Sequence, residues 1–157
     1  LSAVVEMLDG IVGWLTYVGA VSKRRQRLDE TVLEDALTMG SKLAASEFGN
    51  YLSIRPQARA RYVEIMKAVA DAPRRWSQIK RAVENVVGRS IPDFTFNRLL
   101  SNLEKANFIE KSPEGSYKGV DPLLERAART GLLGGGSAGV FVHGAIQGDI
   151  WETSSDR

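Results

Sequence analysis

One predicted helix in the middle of the chain carries side chains that can hydrogen-bond to the edges of nucleic-acid bases. Between Asp93 and Asn107 the large apolar residues recur at helical spacing, which predicts one buried face made of Phe96, Leu99, Leu100 and Leu103. The residues that face the other way are polar: Thr95, Asn97, Arg98, Ser101, Asn102 and Lys105. Arginine can pair with guanine, asparagine with adenine, and serine, threonine or lysine with base edges or phosphates. This pattern predicts a helix that enters the major groove of double-stranded DNA.

Basic residues flank this helix on both sides in the sequence. They are Arg74, Arg75, Lys80 and Arg81 before it, and Lys111 and Lys118 after it. From residue 55 to residue 118 there are thirteen Lys and Arg against seven Asp and Glu, a net charge of +6, whereas segments 1–54 and 119–157 each carry −2. A basic middle between slightly acidic ends is typical of a segment that binds a polyanion. We therefore expect these six residues to contact phosphates.

Two further helices are predicted ahead of this one. The inner face of the first is formed by Tyr62, Ile65, Met66 and Val69. The inner face of the second is formed by Ile79, Ala82, Val83 and Val86. We expect Ser77 to cap the second helix, Gly88 to end it, and Asp93 to cap the helix with the polar face.

A hairpin and a last helix follow. Two short strands are predicted at 108–111 and 116–120, with the turn residues 113–115 (Pro-Glu-Gly) between them. Asp121 as N-cap and Pro122 at the first helical position predict a helix to Arg129. The order helix, helix, turn, helix, hairpin is that of a winged helix-turn-helix domain. We therefore expect a mainly α fold with a small β-hairpin wing.

The chain divides into three parts. Residues 1–54 are predicted to form a helical subdomain, whose longest helix runs from Asp29 to about Tyr51. Its apolar stripe consists of Val32, Leu33, Ala36, Leu37, Leu43, Ala44 and Phe48. The pair Arg55-Pro56 predicts a boundary, because the residue before a proline disfavours helix. The winged helix domain then covers 55–130, and a glycine-rich tail covers 131–157.

Several classes of catalytic site are excluded by composition. The chain has no cysteine, which excludes disulfides and thiolate metal sites. Its one histidine, His143, leaves almost no material for a histidine-based zinc site or a Ser-His-Asp triad. The glycine-rich stretch 131–139 lacks the Gly-Lys-Ser/Thr ending of a P-loop. No apolar run is long enough for a membrane helix, and no signal-peptide pattern is present. We expect a cytoplasmic protein with no catalytic centre and no cofactor in this chain.

Two other interpretations of the same residues remain open. Winged helices also serve as protein-interaction modules, so the polar face could dock on a protein subunit instead of DNA. The polar positions could also be ordinary solvated residues of a small helical domain. Trp76 and Tyr62 could stack on bases, but their place beside apolar helix faces favours packing in the core.

Several segments resemble the archaeal P-loop ATPase family, which is similar to STAND-type members of the AAA+ group. In that family the segment that resembles Asp9–Gly19 lies in a helical lid after the nucleotide-binding core, and a winged helix domain comes next. The other matching segments are Tyr62–Ala68, Trp76–Lys80, Leu99–Leu103, Phe108–Lys111 and Asp121–Leu124. Together they cover about residues 1–130 in order. The resemblance implies the C-terminal lid and winged helix of such an ATPase, with the ATPase core or another subunit as a partner.

The chain departs from this family at two points. Family members usually have proline two residues after the glycine of the lid segment, in a turn that lies against the nucleotide, and this chain has Val12 there. No Walker A or Walker B motif occurs in the 157 residues. Because the chain also begins at Leu1, we expect a fragment of a longer ATPase or a processed product, without ATP hydrolysis of its own.

Overall fold

The structure is a computed structural model that describes residues 12–25 and 30–134. Within these residues it contains six α-helices, one short 3₁₀ helix (Pro56–Ala58) and one three-stranded antiparallel sheet. The helices are α1 (Val12–Arg25), α2 (Glu30–Ser53), α3 (Arg59–Ala70), α4 (Trp76–Val87), α5 (Asp93–Lys105) and α6 (Pro122–Arg129). The strands are β1 (Arg74–Arg75), β2 (Ile109–Lys111) and β3 (Ser116–Gly119). The prediction of a mainly α fold with a small β wing is confirmed.

The helices α3, α4 and α5 form the helix-turn-helix part. All four residues predicted for the inner face of α3, and all four for that of α5, are buried. Helix α4 ends as predicted at Gly88, whose φ of 72° is the left-handed conformation that glycine adopts most readily. The spacing of apolar residues therefore predicted the orientation of α3 and α5 correctly.

The predicted N-caps of α4 and α5 are each one or two residues too late. Helix α4 begins at Trp76 with Arg75 as N-cap, and the backbone N–H of Arg75 donates to Gln78 Oε1 at 2.8 Å. Ser77 is therefore already inside the helix. Helix α5 begins at Asp93 with Pro92 in the cap position. Helix α4 starts early because the chain leaves a strand directly before it.

The sequence did not predict this strand, β1. Arg74 pairs with Tyr117 and Arg75 with Ser116, so β3 lies in the centre of the sheet between β1 and β2. The predicted hairpin is present, with β2 starting one residue later and β3 ending one residue earlier than expected. Gly115, with a φ of 84°, lies in the turn that joins them. A two-residue strand has no alternating pattern and forms only because β3 offers it a partner.

Two residues predicted to be buried are exposed. Leu43 of α2 has 47% of its surface exposed, and Val86 of α4 has 65%. In α2 the buried stripe runs through the small residues Gly40, Ser41 and Ala44, along which α6 packs, and Leu43 lies beside this stripe and outside the contact. In α4 the inner face continues from Val83 to Val87, four residues on, and leaves Val86 outside.

One hydrophobic core joins the elements on both sides of Arg55-Pro56. It extends from Val18 in α1 to Leu133 after α6, and α2 packs along α6. Polar contacts reinforce this packing, because Trp14 Nε1 donates to Asp121 Oδ1 at 3.1 Å and Arg126 pairs with Glu34. Asp121 also accepts from the backbone N–H of Leu123 at 2.8 Å, which confirms it as the N-cap of α6. No helix among the described residues is both long and apolar enough to span a membrane.

The predictions for the tail fall mostly outside the described residues. Residues 131–134 follow α6 as a turn, with Leu133 buried in the core. His143 and the rest of the glycine-rich segment from 135 to 157 lie beyond the part that the structure describes.

Candidate nucleic-acid interface

The outward face of α5 carries the polar residues named in the sequence. Asn97, Arg98 and Lys105 are exposed, and Thr95, Ser101 and Asn102 are partly buried. Arg98 and Lys105 have no acidic partner within 4.0 Å among the described residues. Phe94, at the second position of α5, is 76% exposed and was not singled out in the sequence. The face thus offers two unpaired cations, several hydrogen-bonding groups and one aromatic ring.

Asn97 is held by Trp76. The indole Nε1 donates to Asn97 Oδ1 at 2.6 Å, and the indole ring packs edge-on against Phe96 with 5.5 Å between ring centres. Trp76 is partly buried against the core, which agrees with core packing as the interpretation of this residue. Because an indole N–H can only donate, it directs the amide oxygen of Asn97 inward and leaves the amide NH₂ to donate outward.

Lys80 is surrounded by carboxylates. Its Nζ lies 3.0 Å from Asp93 Oδ1 and 3.2 Å from Glu84 Oε1, and 5.6 Å from the centre of the Trp76 ring. The hydrogen bonds to Asp93 and Glu84 raise the pKa of Lys80 above its ordinary value, which outweighs the opposing effect of desolvation. The two carboxylates therefore compete with a phosphate for Lys80, which we expected to contact the DNA backbone.

Glu84 holds the turn of the helix-turn-helix. Its Oε1 accepts from the backbone N–H of Ile91 at 2.7 Å and from Ser90 Oγ at 3.3 Å. The bond from Ile91 is the main reason that the pKa of Glu84 lies below its ordinary value. Together with Lys80, this carboxylate ties α4 to the start of α5.

The remaining predicted cations differ in whether a side chain of the described residues pairs with them. Lys118 pairs with Glu110 across the hairpin at 2.9 Å, and Lys111 lies 5.6 Å from the centre of the Tyr117 ring. Arg74 is partly buried in β1, and its Nε has no hydrogen-bond partner among the described residues. Arg75 and Arg81 are exposed and have no acidic partner in that same part of the chain.

A groove beside α5 was not predicted. It has a volume of about 410 Å³ and lies between the start of α3 and one side of α5. The lining residues are Arg55, Gln57, Ala58, Arg61, Tyr62, Thr95, Arg98, Leu99 and Asn102. Asn102 Nδ2 donates to the Tyr62 hydroxyl at 3.0 Å, so both residues are fixed at its floor. The density of arginine between residues 55 and 61 was a signal that could have pointed to this surface.

Comparisons with known proteins show which proteins this chain is similar to. Residues 56–120 match the family model of the MCM protein C-terminal winged helix-turn-helix domain. The chain is also similar to the solved structure of a Walker-type ATPase of Pyrococcus abyssi, with 33% sequence identity and a TM-score of 0.65. That match covers 80% of this chain and 34% of the ATPase, so the chain spans about a third of the length of the structure it matches. No curated protein matches the chain. Residues 56–120 therefore have a winged helix-turn-helix fold and are similar to the MCM C-terminal domain, and the resemblance of the chain to an archaeal P-loop ATPase is confirmed.

Proposed function

We propose that this chain binds double-stranded DNA through the outward face of α5. The observation that carries the proposal is the exposed Arg98, which has no acidic partner among the described residues and is flanked by hydrogen-bonding side chains. In helix-turn-helix docking the second helix of the motif enters the major groove and its N-terminal residues reach the bases. Thr95, Asn97 and Arg98 occupy that part of α5.

The roles of the cations follow from their surroundings. Arg75 and Arg81 are exposed without acidic partners in the described part of the chain and serve as phosphate contacts. Lys80 and Lys118 contribute less, because carboxylates of the same chain lie within 3.2 Å of each. Asn97 donates through its amide NH₂ to a base acceptor, since Trp76 occupies its oxygen.

A titration of fluorescent duplex at roughly 50 and 200 mM salt tests the proposal. We expect affinity to fall steeply with salt, because each phosphate contact releases counterions. Absence of binding at the lower salt concentration would contradict DNA binding.

Protein docking is the second candidate function. Met39 and Leu43 lie four residues apart on α2 and are 45% and 47% exposed, which leaves apolar surface outside the core. Under this second proposal the chain is the C-terminal part of an AAA+/STAND-like ATPase, and residues 1–54 form its lid. The winged helix module then docks on the ATPase core or on another subunit and does not hydrolyse ATP itself. Lack of duplex binding, with all helices intact, would favour this function.

A further inference from the structure

The groove between α3 and α5 concentrates positive charge. Arg55, Arg61 and Arg98 all line it, and no acidic residue does. Arg55 is oriented by a bond from Nη1 to the carbonyl oxygen of Tyr51 at 2.9 Å and by its position 4.0 Å above the Tyr51 ring. Arg61 and Arg98 have no acidic partner within 4.0 Å among the described residues. The groove therefore holds three guanidinium groups without a counter-charge of its own.

The stability of α3 does not explain Arg61, which lies in the first turn of this helix. The first turn of α3 contains no acidic residue, and its N-cap, Ala58, provides no side-chain bond. Cations near the N-terminus of a helix interact unfavourably with its dipole. The position of Arg61 in the same groove as Arg55 is better explained by an anion that both residues bind.

The wing carries fewer unpaired cations than the groove. Lys118 is paired with Glu110, and Lys111 lies beside the Tyr117 ring. The groove adjoins the polar face of α5, because Thr95, Arg98 and Asn102 belong to both. A duplex that lies along α5 would therefore meet Arg55 and Arg61 on the α3 side, neither paired with a carboxylate among the described residues. On the wing, Lys118 is paired with Glu110, which leaves Lys111 as the cation without an acidic partner in that same part of the chain.

We infer that Arg55 and Arg61, in the groove that they line with Arg98, bind a phosphodiester of the duplex backbone while Arg98 reaches the bases, so that the DNA contact extends from α5 towards α3 more than towards the wing. This inference rests on the proposed function. Guanidinium groups suit the site because they bind phosphate through two parallel hydrogen bonds. Gln57 and Thr95 at the walls add neutral polar groups.

The test compares variants of the full chain in the duplex titration. We expect Arg61→Gln to weaken binding on the order of tenfold, as for one lost charge-assisted hydrogen bond. The slope of log K against log salt should fall by about 0.9, irrespective of the duplex sequence. Arg61→Lys should recover only part of the affinity, since it restores the charge without the forked geometry. Lys42→Ala, on the exposed side of α2, should leave affinity unchanged, and Lys118→Ala, on the wing, should weaken binding less than Arg61→Gln does.

A second variant keeps the test decisive if Arg61→Gln alters the fold. Gln57→Glu retains every arginine and adds a carboxylate to the groove, so it should weaken binding with an unchanged melting temperature. If both groove variants bind like Lys42→Ala while Arg98→Ala binds weakly, the groove is not a phosphate site and the α5 interface stands. If the unmodified chain does not bind duplex at low salt, the proposed function is itself wrong and this inference falls with it.

Discussion

The indole of Trp76 and the amide of Asn97 are joined by a hydrogen bond of 2.6 Å that links the first residue of α4 to the exposed face of α5. The bond connects the two helices of the helix-turn-helix directly at the proposed DNA surface. It sets which group Asn97 presents to a base, because the amide oxygen faces the indole.

The first prediction tests this bond by NMR. We expect Asn97→Ala to shift the indole N–H resonance of Trp76 and to speed its exchange with solvent, because the acceptor is lost. The indole of Trp14, which donates to Asp121 at 3.1 Å, serves as an internal control and should not change. An unchanged Trp76 resonance would show that the two side chains do not bond in solution.

The second prediction separates a structural residue of α5 from a binding one. Leu103 is fully buried, so Leu103→Ala should lower the free energy of unfolding by about 2–5 kcal/mol. Arg98 is exposed, so Arg98→Ala should change stability by no more than about 0.5 kcal/mol and weaken duplex binding by about 1–3 kcal/mol. Urea denaturation and duplex titration measure the two effects. If Arg98→Ala unfolds the domain and leaves binding intact, the DNA-facing side of α5 is assigned wrongly.

The third prediction concerns the pH dependence that Glu84 contributes. Its pKa is held below the ordinary value of 4.5, mainly by the backbone N–H of Ile91. Its contribution to stability is therefore present above pH 4.5 and is lost as the pH falls through the lowered pKa. We expect Glu84→Gln, which keeps an acceptor but removes the charge, to be less stable than the unmodified chain at pH 7. The difference should shrink as the pH drops below 4.5.

A matched variant separates this local effect from a change in overall charge. Glu47→Gln removes the same charge from an exposed position on α2. If both variants show the same change of melting temperature with pH, the turn contact of Glu84 has no particular effect on stability.

The fourth prediction tests the close packing of α2 on α6. A Cβ atom added at Gly40 would lie 2.6 Å from Leu123 Cδ1 and 3.5 Å from the Trp14 ring, whereas nothing lies within 4 Å of one added at Gly49. Both glycines are in α2, where alanine is intrinsically favoured by roughly 1 kcal/mol. We expect Gly49→Ala to stabilise the chain, and Gly40→Ala to be about 1–3 kcal/mol less stable than Gly49→Ala because the core is overpacked. Equal melting temperatures would mean that α2 and α6 are not in contact in solution.

Several features were predictable from the sequence because they depend on residues close together in the chain. The spacing of Phe96, Leu99, Leu100 and Leu103 determines the buried face of α5, since a helix repeats every 3.6 residues. Asp121 followed by Pro122 determines the start of α6 through local backbone preferences. The same spacing rule failed at Leu43 and Val86, because which neighbours pack on a helix is decided by other elements.

Only the tertiary structure decided which of the basic residues are free to bind an anion. Charge is encoded in residue type, but Lys80 is paired with Asp93 and Glu84, and Lys118 with Glu110, once the helices and the hairpin are packed. Strand β1 likewise exists only because β3 supplies its hydrogen-bonding partner. The groove joins Arg61 and Arg98, which are far apart in the chain and meet because α3 and α5 share one core. Local patterns therefore determined the helices and the hairpin, and the packing between elements determined strand β1 and the surface chemistry.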